Sequence, residues 1–300
     1  MTPTARGSPW GDAEAPRVLR GVRRDTTRVR VGNVEVGGGE LVVIAGPCAV
    51  EGEAQVRETA LAVAAAGARI LRGGVFKPRT SPYAFQGLGL EGLALLRAAG
   101  EGAGLPVVAE VMSESQIEPM LPHVGALQVG ARNMQNFSLL RALGETRVPV
   151  LLKRGMAATV DEWLLAAEYV LCGGNPNVIL CERGIRTFEH STRFTLDLAG
   201  VAVAKARTHL PVLVDPSHAT GLPELVAPMA YAAVGAGADG VMVEVHPNPA
   251  EARSDGPQAL TPAQFEAMMA QLAGFAAAAG RTLHAPEQLA QGVAAQAGGR

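Results

Sequence analysis

The sequence predicts an α/β chain folded as a closed (β/α)8 TIM barrel, preceded by a short N-terminal β-hairpin. Three observations predict it. Short, wholly apolar runs alternate with longer helical patterns along most of the 300 residues. Strands of that kind are buried on both faces, as in a parallel sheet covered by helices. Each strand–helix unit takes about 25 to 30 residues, so about 240 residues hold eight units, the number that closes a barrel. Polar residues follow nearly every apolar run, as they do where all strand ends open on one mouth. An open doubly wound sheet is the alternative, with a site fed by only a few strands.

The elements follow in order. Residues 1–27 are rich in Arg, Pro, Gly and acidic residues, have no apolar period, and read as a disordered tail. Residues 28–40 form the hairpin: Thr27-Arg28-Val29-Arg30-Val31 alternates, Gly32-Asn33 turns, and Val34-Glu35-Val36 alternates again. The barrel is expected over 41–281 and a C-terminal tail over 282–300. Strands are expected at 41–45, 69–71, 106–111, 126–129, 149–152, 178–181, 211–214 and 240–244. Helices are expected at 53–66, 90–99, 115–121, 137–143, 160–171, 194–207, 223–234 and 262–279. Thr159 with Glu162 three residues on makes a capping box for the helix at 160.

Composition excludes several classes. The formal net charge is −2, so no global basic field draws nucleic acid or an anionic membrane. The cysteines are Cys48, Cys172 and Cys181, too few and too scattered for a disulfide framework. A secretory apolar segment and an 18-residue apolar span are both lacking, which points to a cytoplasmic protein.

The stretch from Ile70 to Pro82 carries the most chemistry. It begins as an apolar strand, breaks at Gly73-Gly74, and delivers Arg72, Lys77 and Arg79 with Thr80 and Ser81. Pro78 and Pro82 stiffen it. A rigid cationic, hydroxyl-bearing loop at a strand end suits phosphate and carboxylate groups. Lys77 is one of only three lysines, the others being Lys153 and Lys205. Lysine can trade a proton where arginine cannot.

A barrel brings other strand ends to the same place. Cys48, His218, Glu244 and Asp255 offer sulfur, imidazole and carboxylates, a mixed set that suits a divalent transition metal better than Mg²⁺ or Ca²⁺. They lack the paired-cysteine spacing of a structural zinc site, so a catalytic ion is the natural reading. Asp255 is the weakest of the four on chemistry alone. Arg72, Lys77, Arg132, Lys153 and Arg183 form a second set, all cations. Such a concentration in a near-neutral chain calls for a multiply anionic substrate. Arg79, Thr80 and Ser81 suit a second anion nearby. A Lewis acid, an anion clamp and a lysine describe an aldol-type condensation between phosphorylated metabolites. Hydrolysis of a phosphoester fits the same residues.

Seven motifs narrow the choice. They are Ala45-Gly46-Pro47-Cys48-Ala49-Val50-Glu51, Lys77-Pro78-Arg79-Thr80-Ser81-Pro82, Gly130-Ala131-Arg132-Asn133-Met134-Gln135-Asn136, Leu152-Lys153-Arg154-Gly155, Glu182-Arg183-Gly184, Asp215-Pro216-Ser217-His218-Ala219 and Glu244-Val245-His246-Pro247. In this order they resemble the 3-deoxy-D-arabino-heptulosonate 7-phosphate (DAHP) synthases, in the microbial subgroup related to 3-deoxy-D-manno-octulosonate 8-phosphate (KDO8P) synthase. The resemblance implies condensation of phosphoenolpyruvate with D-erythrose 4-phosphate, the first step of the shikimate route to aromatic amino acids. It implies a divalent metal ion (Mn, Fe, Co or Zn) on Cys48, His218, Glu244 and Asp255. It implies a phosphoenolpyruvate clamp of Arg72, Lys77, Arg132, Lys153 and Arg183. Arg79, Thr80 and Ser81 fall to the aldose phosphate, and Lys77, Cys48 and His218 to catalysis, with Lys77 as proton donor. Glu110 falls near a site carboxylate. The enol carbon C3 attacks the aldehyde, water adds at C2, and the C2–O bond to phosphate breaks. A homo-oligomer, dimer or tetramer, is implied as well.

KDO8P synthase, which takes D-arabinose 5-phosphate, is the alternative. Its loop typically reads Lys-Ala-Asn-Arg-Ser-Ser, whereas Lys77 here is followed directly by Pro78-Arg79-Thr80. The shorter spacing brings the anion contact closer to the reacting centre and suits the shorter sugar. A non-catalytic barrel that only binds phosphometabolites is the remaining reading.

Members of the resembled family are often inhibited by aromatic amino acids through an added domain or a long barrel insertion. About 70 residues are needed for a domain to bury its own core. The segments flanking the barrel and the loops within it are shorter, so the isolated chain is expected not to respond to Phe, Tyr or Trp. Titration of each amino acid against initial rate checks this; half-inhibition at tens of micromolar refutes it.

Overall fold

The computed structural model describes residues 16–23, 25–77 and 81–284. It contains a two-stranded antiparallel sheet and a closed barrel of eight parallel strands. The hairpin is β1 (Val29–Val31) and β2 (Val34–Val36). The barrel runs β3 (Val42–Gly46), α1 (Glu53–Ala65), β4 (Ile70–Arg72), α2 (Gly89–Ala103), β5 (Val107–Val111), α3 (Ile117–Met120) and β6 (Ala126–Val129). It continues with α4 (Phe137–Gly144), β7 (Val150–Lys153), α5 (Val160–Cys172), β8 (Val178–Glu182), α6 (Leu198–Arg207) and β9 (Val212–Val214). It ends with α7 (Pro216–Thr220), α8 (Pro223–Gly235), β10 (Gly240–Glu244) and α9 (Pro262–Ala278). Each strand pairs with its sequence neighbour, and β10 closes on β3 with Glu244 opposite Gly46.

Strand alternation sorts the side chains into two populations. Val43, Ala45, Leu71, Ala109, Leu127, Leu152 and Leu180 point outward and pack under the helices. Ile44, Ile70, Val108, Leu151, Ile179, Leu213 and Met242 point inward, in one cluster with Val29, Val31, Val34 and Val36 of the hairpin. The hairpin therefore plugs the barrel base with four valines, while its arginines and Glu35 face outward. Each such side chain, fully buried, contributes roughly 1.5–3 kcal/mol relative to exposure.

The same alternation sets the mouth. One inward step beyond the apolar layer lie Gly46, Arg72, Glu110, Gln128, Lys153, Asp215 and Glu244. Gly46 has φ 148, and a Cβ there would sit 2.2 Å from the Arg72 carbonyl oxygen, so only glycine lets β3 and β4 approach this closely.

Three expectations are corrected. The tail expected over 1–27 is a packed strap in its described part. Val18 is fully buried, the Arg17 and Val18 amides both donate to the Glu168 carboxylate at 2.8 Å, and the Arg20 amide donates to the Arg207 carbonyl at 2.8 Å. Residues 1–15 lie outside the described residues. The helix expected from 194 begins at Leu198, because Thr195 exchanges two backbone hydrogen bonds with Ile185 and the Asp197 side chain then caps the helix. The barrel's C-terminal boundary extends past 281: Thr282 bonds to Gly39 and Leu41 at the entry to β3. The capping box of Thr159 and Glu162 is present. Among the described residues, no helix is long and apolar enough to cross a membrane.

Candidate active site at the barrel mouth

A cavity of about 300 Å³ opens at the C-terminal ends of the strands. Arg72, Lys77, Arg132, Lys153 and Arg183 all line it, together with Ser81, Glu110, His218 and Asp255. Arg79 and Thr80 lie outside the described residues.

Four potential ligands meet on one side. The donor atoms of Cys48, His218, Glu244 and Asp255 all lie within 4.8 Å of one another. Cys48 arrives from the turn after β3, His218 from α7, Glu244 from the end of β10, and Asp255 from the loop beyond it. Asp255 is the one non-glycine residue of positive φ among the described residues, at 53, so its backbone is bent to bring the carboxylate inward. Its Oδ2 accepts from the Cys48 thiol at 3.1 Å, and His218 Nε2 lies 3.2 Å from Glu244 Oε1.

Protonation states follow from burial and charge. Burial pushes the Cys48 thiol up to about 12, with Glu244 adding to the rise and Lys77 opposing it. A cation at this point is what favours a thiolate. Burial holds His218 below its ordinary range, so the imidazole is neutral and available as a ligand. Burial works against ionising Glu244 and Asp255, yet neighbouring groups overcome it: the Arg72 guanidinium lowers Glu244, and the hydrogen bond from Cys48 helps bring Asp255 down to about 2. A sulfur, a neutral imidazole and two carboxylates crowded in one corner fit a divalent transition metal.

The cations are tied to this group. Arg72 donates to Glu244 Oε1 at 2.5 Å. Lys77 Nζ sits 2.9 Å from Cys48 Sγ and from the Cys48 carbonyl. Lys153 Nζ lies 2.5 Å from Asp215 Oδ2, which also meets His218 Nδ1 at 2.7 Å. Asp215 thus fixes the ring nitrogen that faces away from the ligand corner. Arg183 is nearly buried, lies 4.2 Å over the Phe194 ring, and donates to the His218 carbonyl at 3.2 Å. Its Nη1 is buried without a hydrogen-bond partner among the described residues. A guanidinium nitrogen of this kind beside a cationic pocket suits an oxyanion.

Some participants escaped sequence reading. Arg193 lines the cavity and bonds Asp255 Oδ1 at 3.3 Å and Gln258 Oε1 at 2.7 Å. Gln258 Nε2 in turn donates to Glu244 Oε2 at 2.5 Å. Arg193 sits in a loop and Gln258 in a single 3₁₀ turn, Gly256–Gln258, and neither carries a periodic signal. Gln128 was detectable, as a polar residue at the inward position of an otherwise apolar strand. His246, close in sequence to Glu244, turns away and faces Glu51 at 3.6 Å.

Residues 22–278 match the DAHP synthetase I family. Phospho-2-dehydro-3-deoxyheptonate aldolase of Thermotoga maritima is 47% identical over 263 residues, covering 88% of this chain and 78% of that protein. A 2-dehydro-3-deoxyphosphooctonate aldolase of Nitrobacter hamburgensis is 34% identical over 257 residues, covering 80% of this chain and 89% of its own. The crystal structure of the Thermotoga maritima DAHP synthase superposes with a TM-score of 0.86 at 46% identity, covering 88% of this chain and 78% of that one. A truncated form of the Thermotoga enzyme gives 0.83 at 43% identity, covering 88% and 97%.

Replacing Cys48 by alanine removes the sulfur donor and leaves three ligands. Affinity for Mn²⁺ or Zn²⁺, measured by competition with a chromophoric chelator, is expected to fall by about tenfold or more. Unchanged affinity would show that the ion binds elsewhere.

Proposed function

Because the chain belongs to the DAHP synthetase I family, we propose that it condenses phosphoenolpyruvate with D-erythrose 4-phosphate to DAHP and releases phosphate. The observation that carries the reading is the adjacency of the two halves of the mouth. Five cations face one cavity, and four of them directly touch a residue of the ligand corner or its supporting Asp215. One anionic substrate is thereby held against the place where the second substrate's carbonyl is activated.

The four-ligand corner fits the divalent ion of this reading: Cys48, His218, Glu244 and Asp255 would hold it. When bound, such an ion supplies Lewis-acid polarisation of the aldose carbonyl. Arg183, with its unpaired nitrogen, takes an oxygen of phosphoenolpyruvate, and Arg132 and Lys153 neutralise the remaining charge. Arg72 does the same from the Glu244 side. Lys77 Nζ stands between the ligand corner and the anion pocket. From there it donates a proton to the aldehyde oxygen as the bond from the enol C3 forms. Arg79, Thr80 and Ser81 are assigned to the aldose phosphate, Ser81 from its place on the cavity wall. The homo-oligomeric state belongs to the same reading.

A KDO8P synthase reading remains the competitor, since relatives with that kind of name are 30–34% identical. The 47% identity to the heptonate enzyme and the Lys77-Pro78-Arg79-Thr80 spacing favour erythrose 4-phosphate. Phosphate release from phosphoenolpyruvate, assayed with each aldose phosphate, is expected to be faster with erythrose 4-phosphate and to cease on exhaustive chelation. Faster turnover of arabinose 5-phosphate would reverse the assignment. Full activity after chelation would refute the metal.

Lys153→Ala and Arg132→Ala should weaken phosphoenolpyruvate far more than the aldose. A charge-assisted contact is worth roughly 1.5–3 kcal/mol, or about ten- to hundredfold in affinity. Separate Michaelis constants for the two substrates check this; a selective rise for the aldose would show the subsites exchanged.

A further inference from the structure

Two of the sequence motifs carry a second charged residue that the site does not use. Arg154 follows Lys153, and Glu182 precedes Arg183. Alternation turns both away from the mouth, and both are buried, at 4% and 0% exposure. They meet behind it. Arg154 Nη1 donates to Glu182 Oε2 at 2.9 Å and to Asp197 Oδ2 at 2.8 Å, while Nε donates to the Ala158 carbonyl at 3.0 Å. The guanidinium lies 5.9 Å from the Trp163 ring centroid. Glu182 Oε1 accepts from the Gly184 amide at 2.7 Å, and Asp197 Oδ1 accepts from the Gly200 amide at 2.7 Å. A Cβ on Gly200 would fall 2.3 Å from Asp197 Oδ2 and 2.8 Å from Arg154 Nη1, so the helix start is kept bare where the triad sits.

A buried ion triad is a poor source of stability, because well-packed apolar side chains of the same volume do as well or better. Its geometry has a clearer consequence. Glu182 fixes the backbone on the far side of Arg183 through Gly184, so Arg183 is held between two anchored neighbours. Arg154 fixes the backbone after Lys153 through Ala158. The one guanidinium joins both anchors to the start of α6.

We propose that Arg154 is a positioning residue for the anion clamp, bracing the ends of β7 and β8 so that Lys153 and Arg183 meet the anion in one fixed geometry. The proposal deepens the phosphoenolpyruvate reading and rests on it. The side chains of the brace bond only this half of the mouth. Arg72, Lys77 and the four ligand residues come from other units of the barrel and bond none of its three side chains; the link to the ligand half is a backbone one, the Asp215 amide donating to the Glu182 carbonyl at 2.7 Å. Its loss is therefore selective, unlike a general loss of folding.

The test uses the full chain loaded with Mn²⁺. Phosphoenolpyruvate affinity is measured by calorimetry, Mn²⁺ affinity by chelator competition, both Michaelis constants by initial rates, and folding by thermal melting. Arg154→Gln should weaken phosphoenolpyruvate by about tenfold or more, the scale of a misplaced clamp. Mn²⁺ affinity and the aldose Michaelis constant should stay within about twofold of the parent. Arg154→Lys, which keeps the charge but not the fork, should fall between parent and Arg154→Gln. Asp197→Asn is the control for misfolding, since asparagine caps a helix as well as aspartate and only the charge is lost. It should weaken phosphoenolpyruvate in the same selective way, by a smaller factor. Unchanged phosphoenolpyruvate affinity in Arg154→Gln, or in Asp197→Asn should Arg154→Gln fail to fold, overturns the proposal. So does parallel loss of Mn²⁺ and phosphoenolpyruvate. A parent enzyme that binds no phosphoenolpyruvate overturns the underlying reading and the proposal with it.

Discussion

Charge pairing in a buried mouth is the constraint on which the rest depends. Arg72, Lys77, Lys153, Arg183, Asp215 and Glu244 are all nearly or fully buried in one small volume. Unpaired, any one of them would carry a desolvation penalty of several kcal/mol. The structure meets this by pairing: Arg72 on Glu244 and Lys153 on Asp215 alternate in sign, and Lys77 donates to the Cys48 sulfur and carbonyl. The arrangement also has a chemical result. Each of these cations is anchored at a stated point beside the ligand corner, and each still lines the cavity where an anion enters. Arg183 alone among these buried cations keeps a fully buried nitrogen with no partner among the described residues.

The barrel makes this possible by being rigid and periodic. One inward layer of apolar side chains fills the tube, closed below by the valines of the hairpin. The next inward layer is polar and faces the mouth. Two residues along a strand separate core from chemistry, so a cation on β7 inherits its position from the packing of Leu151 beneath it. Sites built on strands of this kind hold geometry better than sites built on loops. Cys48, Lys77 and His218 come from just beyond strand ends, and Asp255 and Arg193 come from loops. The last two are tied down by each other and by Gln258.

A second layer of pairing lies outside the strands. Arg154, Glu182 and Asp197 form a buried triad behind Lys153 and Arg183. On the other side, Asp215 orients His218, and Gln258 orients Glu244. The mouth is thus held from two directions. Side chains inside it pair with one another, and side chains outside it fix the backbone that presents them.

Much of this was legible in the sequence because it is local. Alternation of apolar runs with helical patterns marked the eight strands, and closure of a barrel placed Arg72, Lys153 and Glu244 at strand ends that share one mouth. The Thr159–Glu162 box is readable because a cap spans only three residues. The chemistry of Cys48, His218, Glu244 and Asp255 could be grouped by type before any distance was known. Local pattern did not reveal that Val18 would pack on the barrel, because a tail with no apolar period finds its partners only on a distant surface. Nor did it reveal Arg193 and Gln258, whose segments have no period, or the meeting of Arg154 with Asp197, 43 residues away. Residue type and spacing determined which groups this protein has available and which strand ends present them. The tertiary structure alone decided which groups touch, because pairing of buried charge depends on distances set by closure of the barrel.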